Sequence, residues 1–434
     1  MKKWGFIVTL VLFTSISYAQ TQMKVEDAIR IGLEHNYEIQ IARNTAAISD
    51  YNTGKGTAGF LPSVEFSANY TVTQSGEEGN SSQSLDESTT RRLSARVNLN
   101  WTVFDGFRMF INRDRYRSLA QQSEYQLRAT IENMVVAISR AYFDLVQQSQ
   151  LLEVAQSSLA ISQERLDKIT LRNALGGAST SEVLQAQVAL NADQTAVWNQ
   201  ELQVEIARKN LNVLLGRHPQ TPVMVENEIE VPVLNLTLAQ LLERATARNS
   251  SLQIARQGLQ VARHDAGLAA STFYPRLSFS GGYTYTDFSL VSDELPVDTE
   301  TTTNDLSVGL VLSYTIFNGF QHKIDWQNAK IQARNAEMNL MDVENQLQNL
   351  VEQTYDAYQT RIDIVSLETE NVAVARRNLQ LVQDRYELGT VSALDFRDAQ
   401  VSLSRAQTAL IGARYQARMT YLELEQLTGN ITFD

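Results

Sequence analysis

Few residues in this chain could do covalent or metal chemistry. There is no cysteine among its 434 residues, which removes disulfides, thiolate metal sites, iron–sulfur clusters and cysteine nucleophiles. The 4 histidines, His35, His218, His264 and His322, are scattered, and none stands at a metal-ligand spacing. No nucleophile–base pairing, phosphate loop or metal cluster emerges, so no catalysis and no cofactor is expected. What remains is a small set of carboxylates beside glycines. Leu175-Gly176-Gly177-Ala178-Ser179 and Leu388-Gly389-Thr390-Val391-Ser392 each join a glycine suited to a helix C-cap to a serine three residues before an acid. Ser179 with Glu182, and Ser392 with Asp395, fit capping boxes. Asp398 lies one helical turn beyond Asp395, on the same face, and capping does not account for it. Exposed in a ring, such acids would favour cations; the plainer alternative is a solvated charged face.

The elements that carry these residues show a large-scale order. Lys+Arg 37 against Asp+Glu 49 gives a formal net charge of -12, which argues against a nucleic-acid partner. Met1-Lys2-Lys3, a short apolar run from Trp4, and Ser17-Tyr18-Ala19 read as a cleavable export signal over 1–19. Its removal takes the charge to -14. No apolar stretch elsewhere is long enough for a transmembrane helix, so entry into a membrane would have to be as β-structure.

The chain is also written twice. Gln40-Ile41-Ala42-Arg43 recurs as Gln253-Ile254-Ala255-Arg256, an offset of 213 residues. Pro62/Pro275, Tyr70/Tyr283, Tyr142/Tyr355, Gly176/Gly389 and Gly216/Gly429 keep that register. So do Phe104-Asp105-Gly106-Phe107 and Phe317-Asn318-Gly319-Phe320. The reading is a first repeat over 20–216, a proline-bearing connector over 217–236, a second repeat over 237–429 and a tail over 430–434.

Each repeat has the same internal plan. Val25–Thr57 reads as helical with a break at His35-Asn36. Ser63–Thr73 alternates, with Val64, Phe66, Ala68, Tyr70 and Val72 on one face. Gln74–Arg92 reads as a loop, and Leu93 to Val103 alternates again. The second repeat gives Leu277 to Tyr285 and Leu306 to Ile316. Alternating strands of about 9–11 residues suit a membrane barrel; a soluble hairpin on a helix is the alternative. Four strands close no barrel, since the smallest have about 8, whereas a trimer supplies 12. Asp105–Arg172 carries one apolar stripe at helical spacing and would run about 100 Å at ~1.5 Å per residue. Ser181–Leu215 returns over half that length, with Asn36–Thr57 stacked on its end.

With the Leu61-Pro62 and Tyr274-Pro275 strand entries, the Phe-Asp-Gly and Phe-Asn-Gly exits, and Arg385-Tyr386-Glu387-Leu388-Gly389-Thr390, the chain resembles the TolC outer-membrane efflux family over nearly its whole length. The resemblance implies an α+β, mainly α fold. Two tandem repeats would form one third of a trimeric 12-stranded transmembrane β-barrel, continued by a long periplasmic α-helical barrel. It implies an outer-membrane homotrimer in lipid, with a periplasmic adaptor and a proton-driven or ATP-driven inner-membrane pump as partners. Asp395 and Asp398 match aspartates that constrict the periplasmic entrance. Tyr386 matches a latch residue whose partners here would be Ser181 or Glu182, against the alternative of simple helix packing. The family arginine two residues after the glycine is Val391, so part of the latch is missing. Leu175, Gly176, Gly177, Leu388, Gly389 and Thr390 fall at the tips where adaptors dock. The function this implies is a passive exit duct of an efflux or type I secretion system. A stand-alone porin and a periplasmic helical scaffold without a barrel are the alternatives.

Overall fold

In the computed structural model, residues 22–75, 88–292 and 299–431 are described; the expected export signal lies outside them. Two helices open the chain, α1 (Val25–His35) and α2 (Tyr37–Tyr51). The break between them is made by Asn36, whose side-chain oxygen accepts from the Glu38 and Ile39 N–H groups and caps α2. A single turn, α3 (Lys55–Ala58), leads into a hairpin of β1 (Ser63–Ser75) and β2 (Ser88–Phe104). Then come α4 (Arg108–Ala174) and the returning α5 (Thr180–Leu214). The second repeat supplies α6 (Leu238–Arg248), α7 (Ser250–Ser271), β3 (Arg276–Ser292), β4 (Thr299–Ser313), α8 (Gln321–Glu387) and α9 (Ala393–Leu427). Both ends of α4 shifted by 213 give both ends of α8, and α5 maps onto α9 in the same way.

The structure corrects several boundaries read from sequence. The expected loop Gln74–Arg92 is shorter, because Ser75 ends β1 and Ser88 begins β2. Residues 88–92 pair with both neighbouring strands through a Ser/Thr/Arg sequence that offers no apolar alternation to read. The strands run 13 to 17 residues, longer than a bilayer needs. Tyr314 and Ile316 lie past the end of β4. Asp105 precedes α4, where its Oδ1 accepts from the Met109 N–H at 3.2 Å. α4 and α8 hold 67 residues each, about 100 Å at ~1.5 Å per residue.

The four strands form one antiparallel sheet in the order β1-β2-β3-β4. Paired residues of an antiparallel ladder share a face. Val64 pairs with Leu99, Phe66 with Val97 and then Tyr283, and Tyr283 with Leu306; Trp101 meets Phe279, which meets Leu310. The opposite face joins Ser67, Arg96, Thr284 and Asp305 in one row, and Glu65, Asn98, Gly282 and Ser307 in another. One face is thus an apolar band and the other polar, and neither β1 nor β4 has a partner on its outer edge among the described residues. Sharp turns join sheet to helices: Gly106 and Phe107, and Gly319 and Phe320, all have positive φ near 70°. Edge-to-face aromatics pack these corners, Phe60 on Phe110 and Phe107 on Tyr274.

The core sits halfway along α4. Met134, Ile138, Tyr142, Phe143 and Val146 are buried there with Ala28, Ile39, Leu211 and Leu215. A second cluster repeats it around Leu347, Val351 and Tyr358. The connector is irregular and is tied on by tyrosines: Tyr142 Oη donates to Met23 O at 2.8 Å and accepts from the Glu226 N–H, and Tyr358 Oη donates to Pro232 O. The end-to-end stacking of the short helices is direct, since Asn36 Nδ2 donates to Leu214 O and Asn249 Nδ2 to Leu427 O.

Candidate functional site

The residues singled out in the sequence gather at the two helical turns farthest from the sheet. Gly176 (φ 81°) ends α4 and Gly389 (φ 74°) ends α8, both left-handed. The Gly177 N–H donates to Arg172 O and the Thr390 N–H to Arg385 O, closing the last turns. Leu175 and Leu388, one residue before each glycine, are each 79% exposed.

Both capping boxes form. Glu182 Oε2 accepts from the Ser179 N–H at 2.7 Å and from its hydroxyl at 3.0 Å, while Ser179 Oγ accepts from the Glu182 N–H. Asp395 Oδ2 accepts from Ser392 in the same way, at 2.9 Å from the N–H and 2.7 Å from the hydroxyl. These bonds hold both carboxyls below their usual range: for Glu182 the Ser179 N–H contributes most, for Asp395 the Ser392 hydroxyl. Asp398 is exposed, with its side chain outside the cap. The turn thus presents two carboxylates, one engaged in the cap and one with no side-chain hydrogen bond among the described residues.

Tyr386 stacks on Phe396, ring centroids 5.5 Å apart and planes 26° apart, with Arg172 over its ring at 6.0 Å. Its neighbours within the chain are therefore Phe396, Arg172 and Arg165, while Ser181 and Glu182 sit at the start of α5. Arg165 is buried, and Nε has no hydrogen-bond partner among the described residues. Burial lowers its guanidinium, and the Tyr386 phenol partly offsets this. Arg165, Tyr386, Phe396 and Ile161 line a cavity of about 70 Å³ between the two hairpins.

Sequence reasoning missed a polar cluster slightly farther from the tip. Arg397 grips Asp193 with both terminal nitrogens, at 2.6 and 2.8 Å. Ser162 donates to the same carboxylate, and Gln400 Nε2 donates to Ser158 O at 2.9 Å. Ser162 and Gln400 are almost fully buried, and the Asp193 carboxylate pushes the Arg397 guanidinium up. One signal was available: the other repeat has Leu184 and Ala406 where this cluster has Arg397 and Asp193.

Known proteins share this plan. A family model described as outer membrane efflux protein matches residues 28–217 and again 241–430. The outer membrane protein TolC of Vibrio cholerae is 24% identical over 380 residues, spanning 86% of this chain and 83% of that protein. The probable efflux pump outer membrane protein TtgC of Pseudomonas putida is 24% identical over 400 residues, 91% of this chain and 77% of its own. A crystal structure of CusC superposes with a TM-score of 0.75 at 19% identity, covering 93% of this chain and 92% of that one. With both repeats matched in register, the chain belongs to the outer membrane efflux protein family.

Proposed function

We propose that three copies of this chain form an outer-membrane exit duct, with the apolar band of the sheet facing lipid and the polar face lining a 12-stranded barrel. Cargo passes through it passively from a periplasmic adaptor and an inner-membrane pump, proton-driven or ATP-driven. One observation carries this reading. Within the chain α4 packs on α7 and α9 of the other repeat, whereas the matching face of α8 packs to no comparable extent on α2 or α5. That face holds exposed Ile331, Met338, Leu367 and Leu381, and the sheet beside it ends in two open edges. A second copy placed in the image of the internal repeat covers the face and pairs the edges together, which is how a heterologous interface closes into a ring.

In this duct Asp395 and Asp398 ring the periplasmic entrance. Tyr386 serves as part of its latch, reaching Ser181 or Glu182 as the entrance tightens, with Val391 leaving one latch contact absent. Leu175, Gly176, Gly177, Leu388, Gly389 and Thr390 meet the adaptor. Planar-bilayer conductance, with oligomer mass measured in the same detergent, tests the whole. A trimer with small, cation-selective currents supports it. Wide, ungated currents point to a porin, and a soluble particle that never inserts removes the duct.

A further inference from the structure

The internal duplication lets two seams of the helical barrel be compared position by position. The seam between α4 and α9 lies within the chain. In the proposed ring its twin, between α8 and α5, falls between neighbouring copies. Near the tips the two seams carry different chemistry at matching positions. At the intrachain seam Arg397 of α9 reaches Asp193 of α5 in the two-pronged ion pair, with Ser162 of α4 and Gln400 of α9 bonded into it. In the twin, Leu184 stands for Arg397, Ala406 for Asp193 and Ala375 for Ser162. Within one turn of Arg165 toward the tip a second ion pair joins α4 to α8: Lys168 Nζ lies 3.1 Å from Glu387, and the matching positions of the other repeat are the uncharged Leu381 and Ala174. Leu184 and Leu381 are 62% and 58% exposed in the single chain, as surfaces awaiting a neighbouring copy must be.

The difference has a mechanical meaning. A half-buried carboxylate gripped by both prongs of an arginine loses two charge-assisted hydrogen bonds when it is released, so such a seam resists parting and twisting. Leucine against alanine has no such directional hold. Arg397 also stands between Asp395 and Asp398 on α9. Helix positions one or two apart do not share a face, and both acids are exposed while Arg397 turns toward α5.

We propose that the Arg397–Asp193 pair is an ionic clamp that fixes the rotation of α9, holding the Asp395/Asp398 face at the entrance and keeping the second hairpin against the first. Arg397 and Asp193 are positioning residues: they touch no cargo and act through α9. This rests on the duct reading above. The test rewrites the clamped seam as its twin, with Arg397→Leu, Asp193→Ala and Ser162→Ala together, a change that strands no buried charge and so spares folding. Single-channel conductance of the triple variant is expected to rise several-fold with the trimer intact, as is that of Arg397→Ala. The exchange Arg397→Asp with Asp193→Arg should bring it back toward the starting value. Loss of the trimer in the triple variant, or an unchanged conductance in an intact one, overturns the clamp. Should the unmodified protein form no channel, the duct reading fails instead. Amide exchange over 393–403 then decides the clamp alone: faster exchange in the triple variant supports it, and equal rates overturn it.

Discussion

Asp395 spends one carboxylate oxygen on its own helix, because Oδ2 takes both the N–H and the hydroxyl of Ser392. The folded pKa is therefore depressed, as it is for Glu182. A depressed carboxylate contributes stability above its unfolded pKa and loses it as pH falls through the folded one. The first turns of α5 and α9 are thus expected to fray on acidification below the usual carboxylate range, while the middle of α4 does not. Exchange of the Glu182 and Asp395 amides, corrected for intrinsic rate, should lose protection in acid; protection that persists there would mean the boxes hold without charge. Asp398 separates charge from capping. Asp398→Asn removes a carboxylate and leaves the Ser392 box in place, and Asp395→Asn with Asp398→Asn removes both charges. Reversal potential in a salt gradient should move stepwise toward zero across these variants, and a potential that stays put sinks the acidic entrance.

At the scale of elements, the connector depends on two tyrosines in the middle of the long helices. Tyr142 is 2% exposed, and its hydroxyl serves Met23 O and the Glu226 N–H together. Burial pushes its phenol up to about 12, so it stays a protonated donor at any physiological pH. Tyr142→Phe leaves two backbone groups without their partner, a loss of about 1–3 kcal/mol. Its repeat mate Tyr355 is only partly buried, so Tyr355→Phe should shift the denaturant midpoint far less. Equal shifts would show that the hydroxyl of Tyr142 is not what ties the connector. Much of this architecture was legible beforehand, since period-two patterning marked the strands and the 213-residue register copied one repeat onto the other. Residues 88–92 were not, because Ser, Thr and Arg carry no apolar alternation. The Arg397–Asp193 pair was not either, since its partners stand 204 residues apart and meet only once α4, α5 and α9 have packed. Tyr386 was placed at the tip by resemblance, but its stacking on Phe396 needed the angle between α8 and α9.

The whole assembly can be probed through one pair of glycines. Gly106 and Gly319 occupy matching corners with φ of 69° and 67°. A Cβ at Gly106 would lie 2.5 Å from Ser271 O and 2.7 Å from Tyr274 Cβ, both supplied by the other repeat of the same chain. At Gly319 it would meet nothing within 4 Å. The residues matching Ser271 and Tyr274 are Ala58 and Leu61, and if copies pack in the image of the repeat, a neighbour brings them to Gly319. Gly106→Ala should then impair folding of the chain itself, through a backbone collision added to left-handed strain. Gly319→Ala should cost the isolated chain only the strain, about 1–2 kcal/mol, and carry the collision into assembly. Its helical content should match the unmodified protein while its trimer fraction in detergent falls sharply. Native mass measurements decide it. A Gly319→Ala trimer as abundant as the original would mean that copies do not meet as the repeats do. The open sheet edges would then have to close through a different arrangement of neighbours, with Leu184 and Leu381 covered by something other than a second copy.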